Sequence, residues 1–184
     1  SDDLSAFFSD TSLSQQLQTV AKSISVRQTL DAKRQIYFVS MGGFDTHDNQ
    51  LTTHPALLGA LSQSLSEFNA AMSSINANDD VTLFTMSDFG RTLTSNGDGT
   101  DHGWAGNQIV MGGAVNGGEI YGSLMTQHLD GPNDIRGGRL IPQVANEQYF
   151  ASLAQWFGLD NSELVDIFPN LANFNSHTLP FMRS

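Results

Sequence analysis

Cysteine is absent from the 184 residues, which removes thiol nucleophiles, thiolate-bound zinc and disulfides from consideration. Basic residues are nearly as scarce, with 8 Lys and Arg against 19 Asp and Glu and a formal net charge of −11. A nucleic-acid binder needs clustered Lys and Arg to displace counterions from phosphates. No such cluster occurs, which speaks against nucleic acid as a partner and, for the same reason, against an anionic membrane surface. No apolar run approaches the roughly 18 residues of a membrane span. The N-terminal Ser-Asp-Asp-Leu lacks an initiator Met and is not a signal peptide, so the chain reads as a processed, trimmed or excised piece.

What is present suits a folded core: 39% of residues are hydrophobic and 15% charged, a globular composition. The length suits one domain. With no internal repeat or linker in view, residues 1–184 are expected to form a single domain. Leu13, Leu17, Val20, Ala21 and Ile24 recur at helical spacing and predict an amphipathic helix between Leu13 and Leu30. Ile36-Tyr37-Phe38-Val39 is a continuously apolar, β-rich run and predicts a buried central strand ending at Gly42-Gly43. Leu57, Leu58, Leu61, Leu65, Phe68 and Met72 predict a second helix over Pro55–Ile75, and Val81–Met86 a second strand. Strand, helix, strand in this order is a βαβ unit with parallel strands. The expected class is therefore α/β, with a mostly parallel central sheet flanked by helices. Further on, Gln108–Met111 and Glu119–Tyr121 suggest short strands, and residues 123–142 an irregular loop. A helix is predicted over Glu147–Phe157 with Gly158 as its C-cap, followed by short helical turns around Leu164 to Leu171.

In open parallel sheets ligands bind beyond the carboxyl ends of the strands, and two polar loops, Asp45–His47 and Ser87–Thr92, would lie there. A carboxylate and an imidazole two residues apart can converge on one cation, since zinc and similar metals accept mixed N and O donors; the alternative is a helix-capping Asp beside an exposed His. Asp88 reads equally as a ligand or a turn residue. Arg91 could pair with a phosphate or sulfate, or with a loop carboxylate. Asp101-His102, flanked by Gly99 and Gly103, is either part of a site or a polar turn. His54 is a reserve ligand, while His128 and His177 read as structural or exposed. Thr46, Ser87, Thr92 and Thr100 are the hydroxyls near these loops, and none lies on a recognisable nucleophile motif.

Four strings in order, Gly-Gly-Phe-Asp-Thr-His (42–47), Phe-Thr-Met-Ser-Asp-Phe-Gly-Arg-Thr (84–92), Gly-Thr-Asp-His-Gly-Trp (99–104) and Gly-Gly-Glu-Ile-Tyr-Gly (117–122), resemble a bacterial family of unknown function. Its members usually carry twin-arginine export signals, which implies a periplasmic or exported protein. That family is similar in turn to the alkaline phosphatase and sulfatase superfamily. The resemblance implies the C-terminal portion of an alkaline phosphatase-like fold, in need of an N-terminal segment that supplies a nucleophile. It implies a first metal held by Asp45, His47 and His102, with Asp88 at the place of a second metal site and Asp101 as an outer partner orienting His102. Phe89 stands where the superfamily has a histidine, so the second metal site is expected to be weakened or absent. The implied function is the metal-binding part of a phosphate- or sulfate-ester hydrolase. Its cofactor would be a divalent metal (zinc, calcium, magnesium or manganese), its substrate a small ester, and Arg91 would meet the substrate anion. The alternative is a non-catalytic exported module with at most one structural metal, which binds a partner or a glycan through aromatics such as Trp104 and Tyr121.

Overall fold

A computed structural model describes residues 3–123 and 125–183. Four α-helices and four short strands occur among them: α1 (Ser12–Ser25), α2 (Gln50–Ser74), β1 (Thr82–Phe84), β2 (Gly90–Ser95), β3 (Thr100–Gly103), β4 (Val110–Gly112), α3 (Asn146–Phe157) and α4 (Asn161–Ile167). The described residues group into two compact units. One comprises residues 3–81 with 96–100, the other 82–95 with the described residues from 101 to 183.

In the first unit α1 packs on α2, with the 3₁₀ turn Leu4–Phe7 against both. The helical stripe read from the sequence is the buried face of α1: Leu13, Leu17, Ala21 and Ile24 lie inside. Thr11 starts this helix, its hydroxyl accepting the Ser14 amide hydrogen at 3.3 Å, which satisfies one of the N–H groups that a helix start leaves unpaired. On α2 the buried positions are Ser64, Phe68, Ala71 and Met72. The helix begins five residues before the expected Pro55. Pro55 is tolerated within it because its missing N–H would face the carbonyl of Leu51, a residue 91% exposed, where water can serve that carbonyl.

The second unit is built around α3. Tyr149 and Leu153 form one cluster with Phe181, against which Val110 and Tyr121 pack. Ala151 joins Leu164 of α4 and Leu171 in another. Gly158 terminates α3 at φ +114°, a left-handed C-cap that only glycine adopts without cost. Asp160 begins α4 by accepting from the amides of Ser162 and Glu163, while Glu163 accepts from the Asp160 amide, a reciprocal capping box.

The sheet departs from expectation. No central parallel sheet exists among the described residues: the strands form two two-stranded sheets, β1 with β4 and β2 with β3. The pair β1–β4 is antiparallel, with Thr82 opposite Gly112 and Phe84 opposite Val110. The four residues between β2 and β3 permit only an antiparallel return, because a parallel one needs a crossover of about a dozen residues. The architecture is therefore not an alkaline phosphatase-like α/β fold. Ile36–Val39 belongs to no strand, and Ile36 and Phe38 are 81% and 80% exposed. The physical reason lies in pairing. An apolar β-branched run favours an extended chain, but a strand exists only where a second strand meets its amides and carbonyls. The segment around Ser40 is held by side chains instead, through the paired amide bonds with Gln16 and the Tyr37–Ser23 hydroxyl contact at 2.8 Å. The Val81–Met86 run shortens to three residues because Thr85 accepts the Ile109 amide with its hydroxyl, and the chain then leaves the ladder. Glu119–Tyr121 is also not a strand.

Candidate metal centre

Within the first unit, the loop after Gly43 turns twice in succession. The Thr46 amide donates to the Phe44 carbonyl at 2.9 Å and the His47 amide to that of Asp45 at 3.3 Å, three-residue turns of the γ type. Residues two apart emerge on the same side, and Asp45 Oδ1 lies 2.9 Å from His47 Nε2. Both side chains are exposed. Thr46 between them points inward, is 4% exposed, and its buried hydroxyl has no hydrogen-bond partner. The loop is backed by the 96–99 turn. Asn96 and Gly99 bond to each other through the Asn96 amide and carboxamide, each at 3.0 Å, and the Gln50 amide donates to the Asp98 carbonyl at 3.1 Å. Gly99 approaches the backbone of residues 46 and 47 so closely that a Cβ there would lie 2.5 Å from both carbonyl oxygens. Only a glycine permits this contact.

The 2.9 Å separation suits a shared cation. Two donors each about 2.1 Å from one metal lie about 3.0 Å apart at a right angle and about 3.4 Å apart at the tetrahedral angle. Seating a cation between Oδ1 and Nε2 therefore needs a displacement of a few tenths of an ångström at most. The donor set, one imidazole nitrogen and one carboxylate oxygen, fits zinc or manganese better than calcium, which prefers oxygen alone.

Within the second unit, His102 and Asp101 are consecutive in β3, so their side chains leave the strand on opposite faces. His102 stacks on Phe89, with ring centroids 3.9 Å apart and planes within 2°. The guanidinium carbon of Arg91, in β2, lies 5.1 Å from the same Phe89 ring centre. Asp88 is exposed on the bend between β1 and β2. Two of the hydroxyls considered as nucleophiles are engaged within this unit: Thr92 donates to the Thr94 carbonyl at 2.9 Å and accepts from the Asp101 amide, while Ser87 donates to the Phe89 carbonyl at 2.9 Å. Tyr121 packs edge-on against Phe181 and donates to the Asn116 carbonyl, which makes it a core residue, whereas Trp104 is exposed. Of the other histidines, His54 meets Phe44 edge-to-face, and His128 Nδ1 bonds the Leu129 carbonyl.

Sequence reasoning noted Phe89 only as the residue occupying a histidine's place. Its stack on His102 had no sequence signal, because the two are distant in sequence, Phe89 just before β2 and His102 in β3. The close approach of Gly99 to residue 47 likewise depends on a contact distant in sequence.

These strands and loops lie within a known sequence family. The chain belongs to the family described as Protein of unknown function (DUF1501), whose model matches residues 6–166; membership in a family of unknown function was the expectation from the motifs. No curated protein and no solved structure matches the chain. No helix among the described residues is long and apolar enough to cross a membrane.

Proposed function

We propose that Asp45, His47 and His102 bind one divalent metal, and that the chain is the metal-binding part of a phosphate- or sulfate-ester hydrolase. The observation that carries the reading is the Asp45–His47 pair, two donors of different type 2.9 Å apart on an exposed loop. Covalent connection supports the third ligand. Gly99 rests against the His47 backbone, and His102 follows three residues later, a reach of at most about 10 Å. A bound metal would polarise an ester oxygen and acidify an attacking group. Arg91 would meet the anionic part of the ester, as guanidinium groups meet phosphate and sulfate oxygens. Asp88 is kept as an accessory carboxylate and Asp101 as an outer orienting group. Export to the periplasm is part of the same proposal, supported by the motif resemblance.

The test is the metal content of the purified chain by elemental analysis, beside Asp45→Ala and His102→Ala. About one zinc or manganese per chain is expected in the wild type, lost in both variants. Metal retained by both variants, or none taken up when supplied, overturns the site. The hydrolase reading is tested separately, by turnover of aryl phosphates and aryl sulfates by the longest natural form of the protein; a metal-loaded but inert protein would leave a non-catalytic metal module.

A further inference from the structure

We infer that Phe89 is a positioning residue that holds the His102 imidazole in a single orientation, so that the ring presents an edge nitrogen to the metal. The inference rests on the reading of His102 as a ligand given above and adds the group that orients it.

The geometry is that of a face-to-face stack, with centroids 3.9 Å apart and an interplanar angle of 2°. Both imidazole nitrogens lie in the ring plane, so fixing the plane fixes the directions in which they can bind. An exposed histidine on a short strand would otherwise populate several side-chain wells, and each lost orientation would cost affinity on metal binding. A flat neighbour removes that freedom before the metal arrives.

Phe89 is itself held. The Ser87 hydroxyl donates to its carbonyl at 2.9 Å and lies 3.5 Å from its amide nitrogen. Gly90, the next residue, runs against the Ala105 carbonyl with no room for a Cβ. On the other strand Gly103 lies so close to the Arg91 backbone that a Cβ would come within 2.6 Å of its carbonyl oxygen. Phe89 therefore stands at the entry to β2 and His102 in β3, where the two backbones pack closely, and the Arg91 guanidinium carbon 5.1 Å from the Phe89 centre adds a cation–aromatic contact to the same ring. Phenylalanine at this position supplies a plane without competing for the metal.

The experiment compares the wild type with Phe89→Leu, which keeps apolar volume but loses the flat face, and Phe89→Tyr, which keeps both. The His102 ring protons are followed by NMR in the metal-free protein, and zinc affinity by calorimetry, with thermal melts confirming that each variant folds. In the wild type the His102 signals are expected upfield from the ring current of Phe89, with the shift lost in Phe89→Leu and kept in Phe89→Tyr. Zinc binding is expected to weaken about tenfold in Phe89→Leu, the scale of groups that orient metal ligands, and to return in Phe89→Tyr. Unchanged signals and affinity in Phe89→Leu overturn the inference while leaving the metal site standing. A wild type that binds no zinc overturns the ligand reading, and with it the role of Phe89 toward a metal; the ring-current comparison then shows separately whether Phe89 holds the ring.

Discussion

Ser14 and Ser64 are fully buried hydroxyls, their oxygens 2.8 Å apart, and Ser14 also donates to Glu67 at 2.6 Å. Burial acts to raise the Glu67 pKa, but hydrogen bonds from Ser14, Gln63 and Ser9 outweigh it and hold the carboxyl below its usual 4.5. A group whose folded pKa lies below its unfolded value stabilises fully above the unfolded value, and that contribution is lost as pH falls through the folded one. Acidification below 4.5 is therefore expected to destabilise the first unit, and Glu67→Gln to flatten that acid limb in urea unfolding followed by circular dichroism. Ser14→Ala should cost about 1–3 kcal/mol at neutral pH, because it leaves polar partners unmatched in a buried setting. At this scale the sequence showed the Asp45–His47 pair, because two residues apart on one loop is a local relation. It did not show the Ser14–Ser64–Glu67 network or the Phe89–His102 stack, whose members lie far apart along the chain.

Among the elements, the helices follow their local signals. The N-cap Thr11, the C-cap Gly158 and the Asp160–Glu163 box each stand where the backbone needs them. Gly158→Ala would place a Cβ at φ +114° and is expected to cost about 1 kcal/mol, read as a lower thermal midpoint with an unchanged far-ultraviolet spectrum. The strands behave differently. Helix hydrogen bonds join residues four apart, so a window of sequence contains both partners. The partner of β1 is residues 110–112, outside any such window, and the apolar run at Ile36–Val39 carries strand-like composition without a strand to pair with. The parallel sheet was expected from that composition, and the absence of pairing overturns it.

At the scale of the whole molecule, a strongly acidic chain exposes a short apolar stretch. The formal charge of −11 keeps copies apart through mutual repulsion, while Ile36 and Phe38 lie 81% and 80% exposed on an extended segment of the kind that promotes association. Phe38→Lys is expected to lower concentration-dependent light scattering, most visibly at high salt where repulsion is screened. Its thermal midpoint should stay near that of the wild type, since an exposed substitution typically changes stability by no more than about 0.5 kcal/mol. A lowered midpoint would instead show that Phe38 contributes to the folded core.

The sequence by itself determined the presence of the helices and the C-cap Gly158, the lack of thiol chemistry, the acidic charge and the family motifs that carry the candidate ligands, because each is a property of composition or of residues a few positions apart. Tertiary structure alone decided which strands pair, that the sheets are small and antiparallel, that Gly99 backs the Asp45–His47 loop, and that Phe89 lies flat on His102. Those contacts join segments distant along the chain, and their free energy depends on a partner that no local pattern specifies.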